Sequence, residues 1–212
     1  MHLPKPSEGG EFTPTPEGTH PATCYRFIDL GTQAGEYMGA PKIARKVMLS
    51  WEITDSELRM DDGKPFTISS RYTWSMHEKA TLRKTLESWR GKKFEDGDFG
   101  PGGFDVHKLL GAGCYLSVIH TKKDDKTYSN ISSIMKLPKG VAVTPAENPL
   151  VYFSLDADEF DRDVFNGFSE GLQNIIKASP EYQAIGKPRN TEDFMPPAFD
   201  GDPGFSDESI PF

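Results

Sequence analysis

Apolar and polar positions along the chain follow two different periods. Ala44 to Thr54 sets Val47, Leu49, Trp51 and Ile53 on one side and Lys46, Ser50 and Glu52 on the other, the period of two of a half-buried strand. Phe66 to Trp74 alternates in the same way, with Phe66, Ile68, Tyr72 and Trp74 against Thr67, Ser69, Arg71 and Thr73. Ala22 to Leu30, rich in β-formers and closed by Gly31, predicts an earlier strand; Cys114 to Thr121 and Thr127 to Leu137 predict two later ones. Between the third and fourth strands the period changes. Leu82, Leu86 and Trp89 recur at helical spacing in Ser75 to Trp89, with Ser75 and Glu78 as a capping box and Gly91 as the C-terminal stop.

The predicted order is strand, strand, strand, helix, strand, strand. That is the layout of a mainly β, five-stranded Greek-key barrel of the OB-fold class, with its one helix between strands 3 and 4. Residues 1–21, Pro-rich and without periodicity, read as an extended lead-in to a barrel over 22–140. Residues 141–185 supply a covering strand or arm (Val143 to Leu155) and a C-terminal amphipathic helix (Asp161 to Ala178). Its apolar face carries Val164, Phe165, Phe168, Leu172, Ile175 and Ile176, and two glycines weaken it. Residues 186–212 lose all periodicity and read as a disordered acidic tail.

Charge sharpens that division. The chain of 212 residues carries a formal net charge of −8, which taken alone speaks against a polyanionic ligand. Residues 1–137, however, hold 19 Lys and Arg against 18 Asp and Glu, and residues 138–212 hold 5 against 14. The acidic excess is therefore confined to the last third, and Thr191 to Phe212 has six carboxylates with no Lys or Arg.

An OB barrel takes oligonucleotides on its strand 2–3 face, flanked by the loops joining strands 1–2 and 4–5, predicted here over Gly31 to Ile43 and Lys122 to Lys126. Cations suited to phosphates fall there: Lys42, Arg45 and Lys46 entering strand 2, Arg71 on strand 3, and Lys122, Lys123 and Lys126 on the last hairpin. Tyr25, Tyr37, Trp74 and Tyr128 are candidate stacking platforms, and Gln33 a polar contact. Alternation assigns Trp51 and Phe66 to the core and leaves Tyr72 and Trp74 balanced between core and platform. The hairpin lysines also suit a solvated, protected edge.

Two resemblances bear on function. The chain ends Phe205-Ser206-Asp207-Glu208-Ser209-Ile210-Pro211-Phe212. Acidic residues before a terminal Ile-Pro-Phe resemble the C-terminal tip of bacterial and phage single-stranded DNA-binding proteins. The two serines that interrupt the acidic run depart from that pattern. The resemblance implies that Asp207, Glu208, Ile210, Pro211 and Phe212 dock onto replication and recombination enzymes such as a polymerase, helicase, primase or nuclease. From Thr19 to Gly140 the body is similar to a group of phage and prophage proteins assigned to DNA replication or recombination. The matching stretches are Ile28 to Gln33, Ala44 to Val47, Phe66 to Ser69, and His77 to Ala80 through Trp89 to Lys92. This implies a single-strand binder on an OB-fold.

Catalytic patterns are missing from the sequence. The histidines His20, His77, His107 and His120 do not pair at helical spacing, and no phosphate-binding Gly-rich loop ends in Lys-Ser/Thr. Cys24 and Cys114 lack a zinc spacing. Asp29 and Glu52 alone do not make a metal-dependent nuclease. With no long apolar run and no signal-like start, the expectation is a non-enzymatic, cofactor-free protein of the bacterial host cytoplasm, clear of membranes. It coats single-stranded DNA, with self-association left open. The alternative is an OB-fold adaptor that docks proteins and binds no nucleic acid; a nuclease on the same scaffold ranks third.

Overall fold

The computed structural model describes residues 13–37, 40–124 and 126–185, with the side chains of 36, 37 and 40 excluded. An open antiparallel sheet dominates it. Five strands run β1 (Gly18–Tyr37), β2 (Ala40–Ile53), β3 (Thr67–Thr73), β4 (Gly113–Lys123) and β5 (Lys126–Lys136), in spatial order β3-β2-β1-β4-β5. A short β6 (Val151–Phe153) adds to β1 in parallel. The helix α1 (Thr81–Arg90) lies between β3 and β4, as the period change predicts.

The β1 strand does most to shape the sheet. Its first part pairs with β4, from Gly18 opposite Val118 to Thr23 opposite Gly113, and the strand from Ala22 onward pairs with β2. Bulges between Cys24 and Arg26 and between Asp29 and Gly31 let one strand serve both neighbours, since each bulge bends and twists the chain. Gly31 has φ of 70°, so it makes a bulge and not the strand end that its position suggests. Pairing resumes from Gly31 opposite Lys46 to Tyr37 opposite Ala40. The predicted loop over 31–43 is in fact the paired arms of a long hairpin.

Two apolar clusters sit on opposite sides of this sheet. The larger holds Trp51, Leu49, Ile53, Phe66, Ile68 and Tyr72 with Leu82, Leu86 and Trp89 of α1. Trp51 and Phe66 are buried as the alternation predicts, and Tyr72 falls to the core side at 8% exposure. The smaller cluster covers the other face of β1 and β2: Ile28, Leu30 and Met48 meet Phe153, Leu155, Phe165, Phe168, Leu172 and Ile176.

Three element boundaries differ from the sequence expectation. The helix starts at Thr81 and not Ser75, because the Ser75 hydroxyl accepts from His77 N and His77 Nδ1 accepts from Lys79 N, local bonds that compete with helical ones. The predicted capping box of Ser75 and Glu78 therefore does not form. The single C-terminal helix becomes α2 (Arg162–Asn166), α3 (Glu170–Lys177) and α4 (Pro180–Ala184). The break falls at Gly167, and Gly171 stays inside α3. The described end of the lead-in, from residue 13, is tied to the sheet: β1 begins at Gly18, and the carbonyl of buried Thr15 accepts from His120 Nε2 and Ser129 Oγ. That bond makes His120 a structural residue. No helix among the described residues is long and apolar enough to cross a membrane.

Candidate nucleic-acid interface

The two outer strands of the sheet, β3 and β5, face each other across an open groove of about 1000 Å³. Ser69 to Thr73 form one wall and Asn130 to Ile134 the other, with His77, Lys79 and the α1 residues Thr81 and Thr85 between them. Ser88 Oγ donates to Ile134 O at 2.5 Å, which fixes α1 against β5. The register Lys46 opposite Thr73 and Met48 opposite Arg71 brings the cations of β2 and β3 onto one side.

Four cations line this groove, Lys42, Lys46, Arg71 and Lys79, and no Asp or Glu does so among the described residues. Lys46 Nζ donates to the Thr73 hydroxyl at 2.7 Å, a neutral partner, and makes no ion pair with a described carboxylate. Arg71 and Lys79 make no ion pair with a described carboxylate. Helix α1 also opens here, with Ala80 at its N-cap and no acidic residue in its first turn, so its dipole adds positive potential. The groove can therefore hold a chain of anions. The His77-Glu78-Lys79 stretch, which reads in sequence as the first turn of a helix, supplies two lining residues the sequence reading missed.

Arg45 is elsewhere. It donates from both Nε and Nη2 to the Asp29 carboxylate, and Nη2 also bonds Asp156 Oδ1 at 2.9 Å. The hydrogen bonds it donates to Asp29 raise the guanidinium pKa further above its ordinary value, against burial, which lowers it. Asp29 is itself buried and accepts from Gly31 N at 2.9 Å and Leu155 N at 3.3 Å. Arg45 thus ties β1, β2 and the C-terminal arm together and is spent as a phosphate contact. Glu52 is likewise locked, accepting from Glu147 N, Asn148 N and Asn148 Nδ2 at 2.6–2.9 Å.

The other predicted contacts scatter. Tyr25 occupies the bulge between Cys24 and Arg26 and is buried at 7% exposure, so it offers no platform. Trp74 keeps 40% of its surface but turns edge-on to Phe27, 5.8 Å between centroids, beside Arg45 and Tyr152 in a small separate pocket. Gln33 Nε2 donates to Leu30 O and Ile175 O, which clamps α3 to β1. Lys122, Lys123 and Lys126 are exposed at the hairpin tip, which turns at Asp124, and do not line the groove. Lys126 stands four residues from Asn130, roughly 13 Å along β5. Tyr128 is 44% exposed between them. Tyr37 pairs with Ala40 at the end of the first hairpin, and its side chain is outside the described set. Asp207, Glu208, Ile210, Pro211 and Phe212 lie beyond the described residues. No protein-family model matches the chain, and no curated protein matches it.

Proposed function

We propose that this protein binds single-stranded DNA in the groove between β3 and β5, coats exposed strands during phage replication and recombination, and calls in partner enzymes through Asp207 to Phe212. One observation carries the binding half: Lys46, Arg71 and Lys79, none of them in an ion pair with a described carboxylate, converge on an open groove in a chain whose net charge is −8. Such a cluster repels itself unless an anion neutralises it, and a strand that does so releases counterions. A concave groove suits an unpaired strand, whereas duplex readers push a helix or ribbon outward into a DNA groove.

The sheet reads best as an OB-fold. In support, β1 is shared between β2 and β4, the helix falls between β3 and β4, and the groove draws Lys46 and Arg71 from the strand 2–3 face on which this barrel takes oligonucleotides. The tip half rests on the sequence of Asp207 to Phe212 alone: Phe212 to fill an apolar pocket, and acidic neighbours for steering.

Binding of single- against double-stranded oligomers of equal length at two salt concentrations tests the proposal. Preference for the single strand with a steep loss on adding salt supports it. Equal binding of both, or none, overturns it.

A further inference from the structure

The groove is rich in cations and hydroxyls but poor in rings. Ser69, Ser70 and Thr73 of β3 face Asn130, Ser132 and Ser133 of β5, and the described lining holds two rings, Tyr72, 8% exposed, and the exposed imidazole of His77, a small platform whose Nδ1 accepts from Lys79 N. These side-chain types, with Lys and Arg, are the ones that hold phosphate and sugar oxygens. Stacking a base needs an open ring face, and here Trp74 lines another pocket while Tyr128 stands beyond Asn130 toward the hairpin tip.

We infer that the groove takes the sugar–phosphate backbone of the strand and leaves the bases facing solvent. This deepens the single-strand proposal and rests on it. A backbone-in strand is held by its phosphates, so affinity follows strand length and salt and is indifferent to the bases. Their pairing edges stay exposed, open to a complementary strand or to chemical attack while the protein is bound.

The full-length chain is titrated by fluorescence anisotropy with a labelled oligothymidine of about 20 nucleotides and with an equally long strand of abasic tetrahydrofuran units. Permanganate oxidation then reports the exposure of bound thymines. Affinities within about threefold, equal salt slopes and undiminished thymine oxidation are expected; one stacked base alone would cost the abasic strand about fivefold or more. Oligothymidine bound at least tenfold more tightly than the abasic strand, or protected thymines, would overturn the backbone-in mode and leave the single-strand proposal standing. If neither strand binds, the single-strand proposal fails and takes this inference with it.

Discussion

Arg45 and Lys46 are neighbours in the chain and work on opposite sides of the sheet. Arg45 reaches Asp29 and Asp156, while Lys46 bonds Thr73 in the wall of the cationic groove. Alternation along β2 separates a cation held by carboxylates from one that lines the groove within two residues.

Arg45→Met is therefore expected to affect stability and not binding. It strands Asp29, whose side chain is only 5% exposed, without its charged partner. Removing one member of a buried pair costs about 3–5 kcal/mol; Arg45 keeps 30% exposure, which brings the expectation to about 2–3 kcal/mol. Denaturant melts measure the loss, and affinity for oligothymidine under folding conditions stays within about twofold. A weakening of tenfold or more would place Arg45 on the strand after all.

Gly31→Ala tests how the C-terminal arm seats. A Cβ at Gly31 would lie 2.4 Å from Ser179 Cβ and Oγ and 2.9 Å from Leu155 Cδ1, at a φ of 70° that L-residues disfavour. Strain and overpacking each cost about 1–3 kcal/mol. The expected outcome is a clear drop in melting temperature, with only partial recovery in Gly31→Ala/Ser179→Gly because Leu155 still obstructs. An unchanged melt would mean that the arm is not packed there.

Glu181 gives the arm a pH dependence. Burial opposes its ionisation, but hydrogen bonds from Thr32 Oγ1 and Thr32 N, at 2.5 and 2.8 Å, hold its carboxyl below the usual glutamate range. A carboxyl lower in the folded than in the unfolded state stabilises fully above the ordinary value of about 4.3. That contribution disappears as pH falls through the lower folded value. Glu181→Gln should thus narrow the stability difference between pH 7 and strongly acidic solution. Melts of both proteins across that span check it; parallel curves would deny Glu181 the role.

Deleting residues 186–212 should strengthen strand binding. The arm ends near β1, where Glu181 holds Thr32 and Thr32 pairs with Arg45, one residue from Lys46. Under the proposed function the acidic chain that follows would compete with DNA for the groove's cations, and salt would screen that competition. Anisotropy titrations should show the truncated protein binding more tightly at low salt, the gap closing as salt rises. Equal or weaker binding by the truncated chain contradicts this.

Strands announced by alternation were legible, and so was the burial of Trp51 and Phe66, because a half-buried sheet repeats every second residue. Gly31 misled, since a glycine that ends a strand and one that makes a bulge look alike in sequence. The role of Arg45 was hidden because Asp156 is 111 residues away in the chain. Lys46 and Arg71 were legible as non-core cations on paired strands. The hydroxyl walls were not: serine and threonine are ordinary on the outer face of any strand, and only folding shows which of them share a groove.

The most direct test is the salt dependence of oligothymidine binding by Lys46→Ala/Arg71→Ala/Lys79→Ala. Each lost phosphate contact on a single strand removes about 0.7 from the slope of log K against log salt, so the triple variant should lose about 2 and bind at least about tenfold more weakly at low salt. A variant that stays folded and keeps the affinity and slope of the unaltered protein would show that the strand does not run between β3 and β5.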